Sequence, residues 1–159
     1  ISCVALESRT QYIIYVSEAK RTAEKMKIRT IIEQKGMCSV MNTTKWKELK
    51  IGISKLPFEP PFVIKTVDEK ESEYHTFEED IYHTMDWGLY LDNYLGGDIY
   101  ATEYFEIEWI KVRPRILKKQ GKLIPDKIID ETEEFVAVLQ KYSIPFEEEN
   151  GTYIIYGYQ

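Results

Sequence analysis

No phosphate-binding loop, dinucleotide fingerprint, zinc-ligand quartet or nucleophile elbow occurs in the 159 residues, although each would leave residues at a fixed spacing. Nothing in the chain therefore asks for a cofactor. Cysteine is scarce: Cys3 and Cys38 stand in no metal-binding spacing and supply no disulfide framework, so a reduced, cytoplasmic protein is expected. Cys38 also has no histidine near it in sequence, which argues against a nucleophile. Long hydrophobic runs are missing. Tyr12 to Val16 and Tyr153 to Tyr156 fall far short of the roughly 20 residues that span a bilayer. The opening ISCVALES lacks the basic flank and the apolar length of a signal peptide.

What the chain does have is the composition of a folded domain: 43% hydrophobic, 30% charged, and 12 tyrosines. Its length suits one domain with a proper core, read as residues 17–159, preceded by an elaboration at 1–16. Two short apolar runs in that elaboration suit a small hairpin or two edge strands. Ser17 can cap a helix that ends at Gly36. Asn42 or Thr43 can cap a second helix whose stripe is Trp46, Leu49, Ile53 and Leu56, stopped by Pro57. FVIKTV (62–67) reads as a strand, and Tyr104 to Arg113 as another whose apolar phase shifts near Trp109, which suggests either a bulge there or a strand covered on both faces further along. Asp126 is read as the cap of a helix from Lys127 to about Tyr142, with Ile128, Thr132, Phe135, Leu139 and Tyr142 on one face. Asn150-Gly151 predicts a type I′ hairpin in which Glu148 opposes Tyr153. The sum is an α+β domain: a mainly antiparallel sheet of 62–67, 104–113, 145–149 and 152–158, packed on one side by two to three helices.

The segments SVMNTTKWKELK (39–50), LPFEPPFVIK (56–65), IEWIKVRPR (107–115), GKLIP (121–125) and IPFEEENGTYIIYGY (144–158) resemble a small bacterial family of uncharacterised proteins. The resemblance spans roughly residues 28–159. It implies one compact domain and carries no activity and no catalytic residue with it.

Charge is the functional clue. Between residues 68 and 108 there are 13 acidic residues against Lys70 alone, a local net of −12. The same segment holds six tyrosines, with Trp87 in its middle. Aromatic side chains among carboxylates offer a partner both contact area and a complementary field. Trp46 and Trp109 have obvious buried destinations, whereas Trp87 has none and is read as a surface anchor. The candidate binding residues are accordingly Asp86, Trp87, Tyr90, Asp92, Tyr94 and Asp98. A solvated acidic loop with a few core aromatics is the competing reading.

Two other constellations weigh less. His75 and His83 with neighbouring carboxylates suggest a small metal-dependent hydrolase, but their eight-residue separation places them off one helical face and matches no ligand motif. KVRPRILKKQGK (111–122) is a basic stripe that could contact phosphates. The whole chain, however, is −6. No recognition element accompanies the stripe, and an intramolecular partner for the acidic segment is the better expectation. The reading is a non-enzymatic bacterial binding protein presenting an acidic, Tyr-rich surface to a basic protein partner, in its concrete form a toxin-immunity protein. Neither a nucleic-acid nor a membrane partner is expected.

Overall fold

Gly36 is the first glycine of the chain and Pro57 the first proline, so no residue with a strong helix-breaking preference interrupts the first 35 positions. In the computed structural model, which describes residues 2–77, 79–92 and 101–159, this stretch is one helix, α1 (Ser2–Lys35). The expected hairpin at 1–16 is thereby corrected. The β-branched cluster around Tyr12 to Val16 reads as a strand locally, but it is continuous with the helix that follows. Near the other end of α1, Ile28 is buried.

Helix α2 (Thr43–Ser54) starts where Asn42 accepts the Lys45 N–H at 2.8 Å, and it buries Trp46, Leu49 and Ile53 as its spacing requires. Strand β1 (Phe62–Thr66) follows the proline-rich turn. A single-turn helix, α3 (Trp87–Tyr90), precedes strand β2 (Ile107–Val112). The pairing of β1 with β2 steps from Lys65↔Trp109 to Thr66↔Ile107 and passes over Glu108. The expected irregularity thus falls one residue before Trp109.

The expected helix from Lys127 needs correction at its start. Arg115–Lys118 and Lys127–Asp130 are strands β3 and β4, paired so that Ile116 meets Ile129 and Leu117 meets Ile128. Helix α4 begins only at Thr132 and runs to Lys141. Its N-terminal amide is satisfied by Asp130, which accepts the Thr132 N–H at 2.7 Å, rather than by Asp126. Phe135 and Leu139 are buried as expected, but Ile128 is mostly exposed.

Strands β5 (Glu147–Glu149) and β6 (Thr152–Tyr156) close the antiparallel sheet in the order β1-β2-β6-β5. Asn150 and Gly151 both take positive φ, 51° and 79°, and Glu148 opposes Tyr153, so the hairpin has the expected register. Trp46, Leu49 and Ile53 from α2 and Phe135 and Leu139 from α4 pack on Phe62, Ile110, Val112, Tyr153 and Ile155. The fold is α+β, with α2 and α4 packed on one side of the sheet. Alternation places Lys65, Trp109, Ile154 and Tyr156 on the other side. Among the described residues no helix is long and apolar enough to cross a membrane.

Candidate functional site

Several carboxylates of the acidic segment meet cations within the molecule. Arg21 grips Glu103 through Nε at 2.8 and 2.9 Å, and Lys27 reaches Asp68 at 3.3 Å. Glu108 pairs with Lys65, which is buried. Burial alone would raise the Asp68 carboxyl, but hydrogen bonds from Thr66 and Lys27 outweigh it and hold Asp68 below the usual carboxylate range.

The basic stripe engages residues 79–82. Arg115 Nε donates to Asp80 at 2.7 Å, Arg113 donates to the Glu79 carbonyl at 2.7 Å, and the Leu117 N–H donates to the Ile81 carbonyl at 2.8 Å. The Lys119 ammonium lies over the Tyr82 ring, 5.1 Å from its centroid. Residues 79–82 are therefore strapped along the start of the basic hairpin, the intramolecular pairing that the charge pattern suggested. The net −12 of the segment is correspondingly reduced as a field at the surface.

The structure disperses the candidate binding residues. Trp87 is 1% exposed, donates its indole N–H to the Pro60 carbonyl at 2.9 Å and packs 4.6 Å from the Phe62 ring. Its reading as a surface anchor is corrected: Asp86 caps the short helix by accepting the Leu89 N–H at 3.0 Å, and that turn directs the indole into the core. Tyr90 is half-buried with its ring edge-on to Phe62. Asp86 is exposed, while Asp92 is half-buried with φ of 55° and donates its N–H to the Thr102 carbonyl. Tyr94 and Asp98 lie outside the described residues.

His75 is buried, and both its ring nitrogens are engaged within its own turn. Nδ1 accepts the Ser72 N–H at 3.0 Å, Nε2 lies 2.8 Å from Glu69 Oε2, and the ring stands edge-on to Trp109. His83 is exposed. Among the described residues no group of three or more His, Cys, Asp or Glu is disposed to hold a metal ion.

What the turn around His75 does is display its neighbours. Tyr74 is 82% exposed, with Glu71 and Glu73 exposed beside it in the chain. Trp109, which the His75 ring meets edge-on, is the cross-strand partner of Tyr156, and the Tyr156 hydroxyl donates to Glu147 on the sheet edge at 3.3 Å. Burial first, then the charges of Glu147, Glu149 and Glu71, push that hydroxyl above the ordinary tyrosine range. Strand β5 is one edge of the sheet among the described residues and exposes three consecutive glutamates, a charge pattern that blocks pairing with another strand. Among the described residues no lysine or arginine forms an ion pair with Glu71, Glu73, Glu147 or Glu149.

This face went unread in the sequence because it joins segments more than 70 residues apart. The local signals were Ser72 three residues before His75, a capping arrangement, and the EEE run before Asn150-Gly151.

Residues 28–159 match the sequence pattern of a family described as a family of unknown function, DUF6678. No curated protein and no solved structure matches the chain.

Proposed function

The chain belongs to the family of unknown function DUF6678, and we propose that it is a non-enzymatic binding protein that offers an acidic, tyrosine-bearing face to a basic protein partner. One observation carries this reading: Tyr74, 82% exposed, stands among carboxylates that no cation of the described residues neutralises. An aromatic ring on a backbone held by the His75 turn gives contact area with no backbone ordering left to pay on binding, and the surrounding carboxylates speed capture of a cationic partner. The anchoring role first given to Trp87 passes to Tyr74. In its concrete form the partner is a cationic nuclease toxin, whose phosphate-binding residues the carboxylates would engage in place of nucleic acid.

The test is affinity capture from the host extract with the native chain and with a variant carrying Glu→Gln at 71, 73, 147 and 149. One basic protein, recovered stoichiometrically by the native chain and lost with the variant and at high salt, is the expected result. Equal recovery by both chains contradicts the reading.

A further inference from the structure

The hairpin of β3 and β4 ends in an apolar apex that the fold does not use. Leu123 is 98% exposed, the highest value among the large hydrophobic residues described, and Ile124 and Ile128 beside it are each 55% exposed. Around this apex, residues 118–127 carry Lys118, Lys119, Lys122 and Lys127 against Asp126 alone. Asp126 in turn accepts the Tyr82 hydroxyl at 2.7 Å. Lys118 and Lys127 are direct cross-strand partners. Like charges placed directly opposite cost stability in an isolated sheet, and an apex leucine facing water contributes nothing to it.

Both features become favourable against one kind of surface, an apolar layer lying beneath anionic groups. Lys118 and Lys127 end the two strands behind the apex and Lys119 and Lys122 lie in the loop that carries it, as cations do when apolar side chains enter a membrane interface. At the base of the hairpin a shallow cavity of about 310 Å³ is lined by Lys118 and Lys119 together with Tyr82, Ile116, Leu117 and Ile129. Its lining of cationic and apolar groups suits a lipid phosphate and the start of an acyl chain.

We propose that this hairpin docks the protein on an anionic lipid surface, with Leu123 and Ile124 entering the interfacial layer and Lys118, Lys119, Lys122 and Lys127 contacting lipid phosphates. A protein groove fits less well as the occupant. The apex is a convex tip only two or three side chains wide, well below the roughly 800 Å² per partner that a stable protein interface buries. Docking of this kind needs no spanning segment, only a short apolar tip and cations to hold it. It is independent of the acidic face and of any partner bound there.

The experiment is vesicle flotation with the full chain, using phosphatidylcholine alone and phosphatidylcholine mixed with phosphatidylglycerol. Binding to the mixed vesicles only, weakening as salt is added, is expected. The paired changes Leu123→Ser with Ile124→Ser, and Lys119→Glu with Lys122→Glu, should each lower partitioning at least about tenfold. All four side chains are exposed and only the surface contact of Lys119 with the Tyr82 ring is lost, so thermal melting should stay close to that of the native chain. As a second readout, Leu123→Trp should give a blue-shifted emission on mixed vesicles, because the three native tryptophans are already buried and report little. Absence of vesicle binding, equal binding to neutral vesicles, or partitioning unaffected by both paired changes would each overturn the proposal. Binding to a polyglutamate peptide in place of the vesicles would assign the hairpin to an acidic protein instead.

Discussion

His75 Nε2 lies 2.8 Å from Glu69 Oε2 while Nδ1 of the same ring accepts the Ser72 N–H, so the imidazole is the neutral tautomer with its proton on Nε2. A backbone N–H can only donate, which leaves Nδ1 bare and makes Nε2 the donor to the carboxylate. Glu69 responds accordingly: burial would raise its carboxyl, but hydrogen bonds from Thr66 and His75 hold it below the usual range. The two residues tie the start of the 69–75 turn to its end, and Tyr74 is displayed by what they hold.

His75→Ala should therefore cost about 1–3 kcal/mol, the range for leaving buried partners unpaired. It should also speed amide exchange across residues 72–76 while Tyr74 itself is unchanged. Native exchange rates in that turn would show that His75 does not fix it.

Glu131 gives a pH dependence of defined sign. It is 1% exposed, its Oε2 accepts the Phe58 N–H at 3.2 Å, and its Oε1 has no partner among the described residues. Burial, reinforced by Glu134 and Asp130 and opposed by the Phe58 N–H, pushes its carboxyl up to about 7. The folded state thus holds this proton more tightly than the unfolded chain does. The stability it contributes is fully present below pH about 4.5 and is lost as pH rises through about 7. The lowered carboxyls of Asp68, Glu69 and Asp130 work in the opposite direction, so the native chain must be compared with Glu131→Gln. Relative to the native protein the variant should gain up to about 3 kcal/mol between pH 4 and 8. A difference that stays constant over that range, measured by urea unfolding, contradicts this account of Glu131.

Lys65 and Glu108 form a buried ion pair at the bulge on the sheet face away from α2 and α4. Removing only the cation, as in Lys65→Ala, leaves a shielded carboxylate and should cost about 3–5 kcal/mol. Replacing both, by Lys65→Met with Glu108→Leu, should recover most of that loss. Additive losses in the double variant would mean that the two side chains contribute independently.

Local patterns were legible where the deciding forces are local. Asn42 with the stripe of Trp46, Leu49 and Ile53 gave α2, and Asn150-Gly151 gave the closing hairpin and its register, because caps and tight turns are settled within a few residues. Ile128 and Ile129 satisfied a helical stripe and a strand equally well. The choice fell to pairing with Ile116 and Leu117, which lies outside any short window. Trp87 was misplaced for a similar reason: its burial depends on Pro60 and Phe62, 27 and 25 positions away. The acidic excess of residues 68–108 was plain, but its neutralisation by Arg21, Lys27 and Lys65 could not be read before the fold brought them to it.

The most direct measurement of the binding account is surface plasmon resonance against the captured basic partner, comparing Tyr74→Ala and the pair Glu71→Gln with Glu73→Gln to the native chain at low and high salt. Tyr74→Ala should raise the dissociation rate, with a loss of about 2 kcal/mol or more. The glutamine pair should slow association and flatten its salt dependence, because exposed charges at the rim act mainly on encounter. Association and dissociation rates equal to the native chain's in both variants would contradict the assignment of this face as the binding surface.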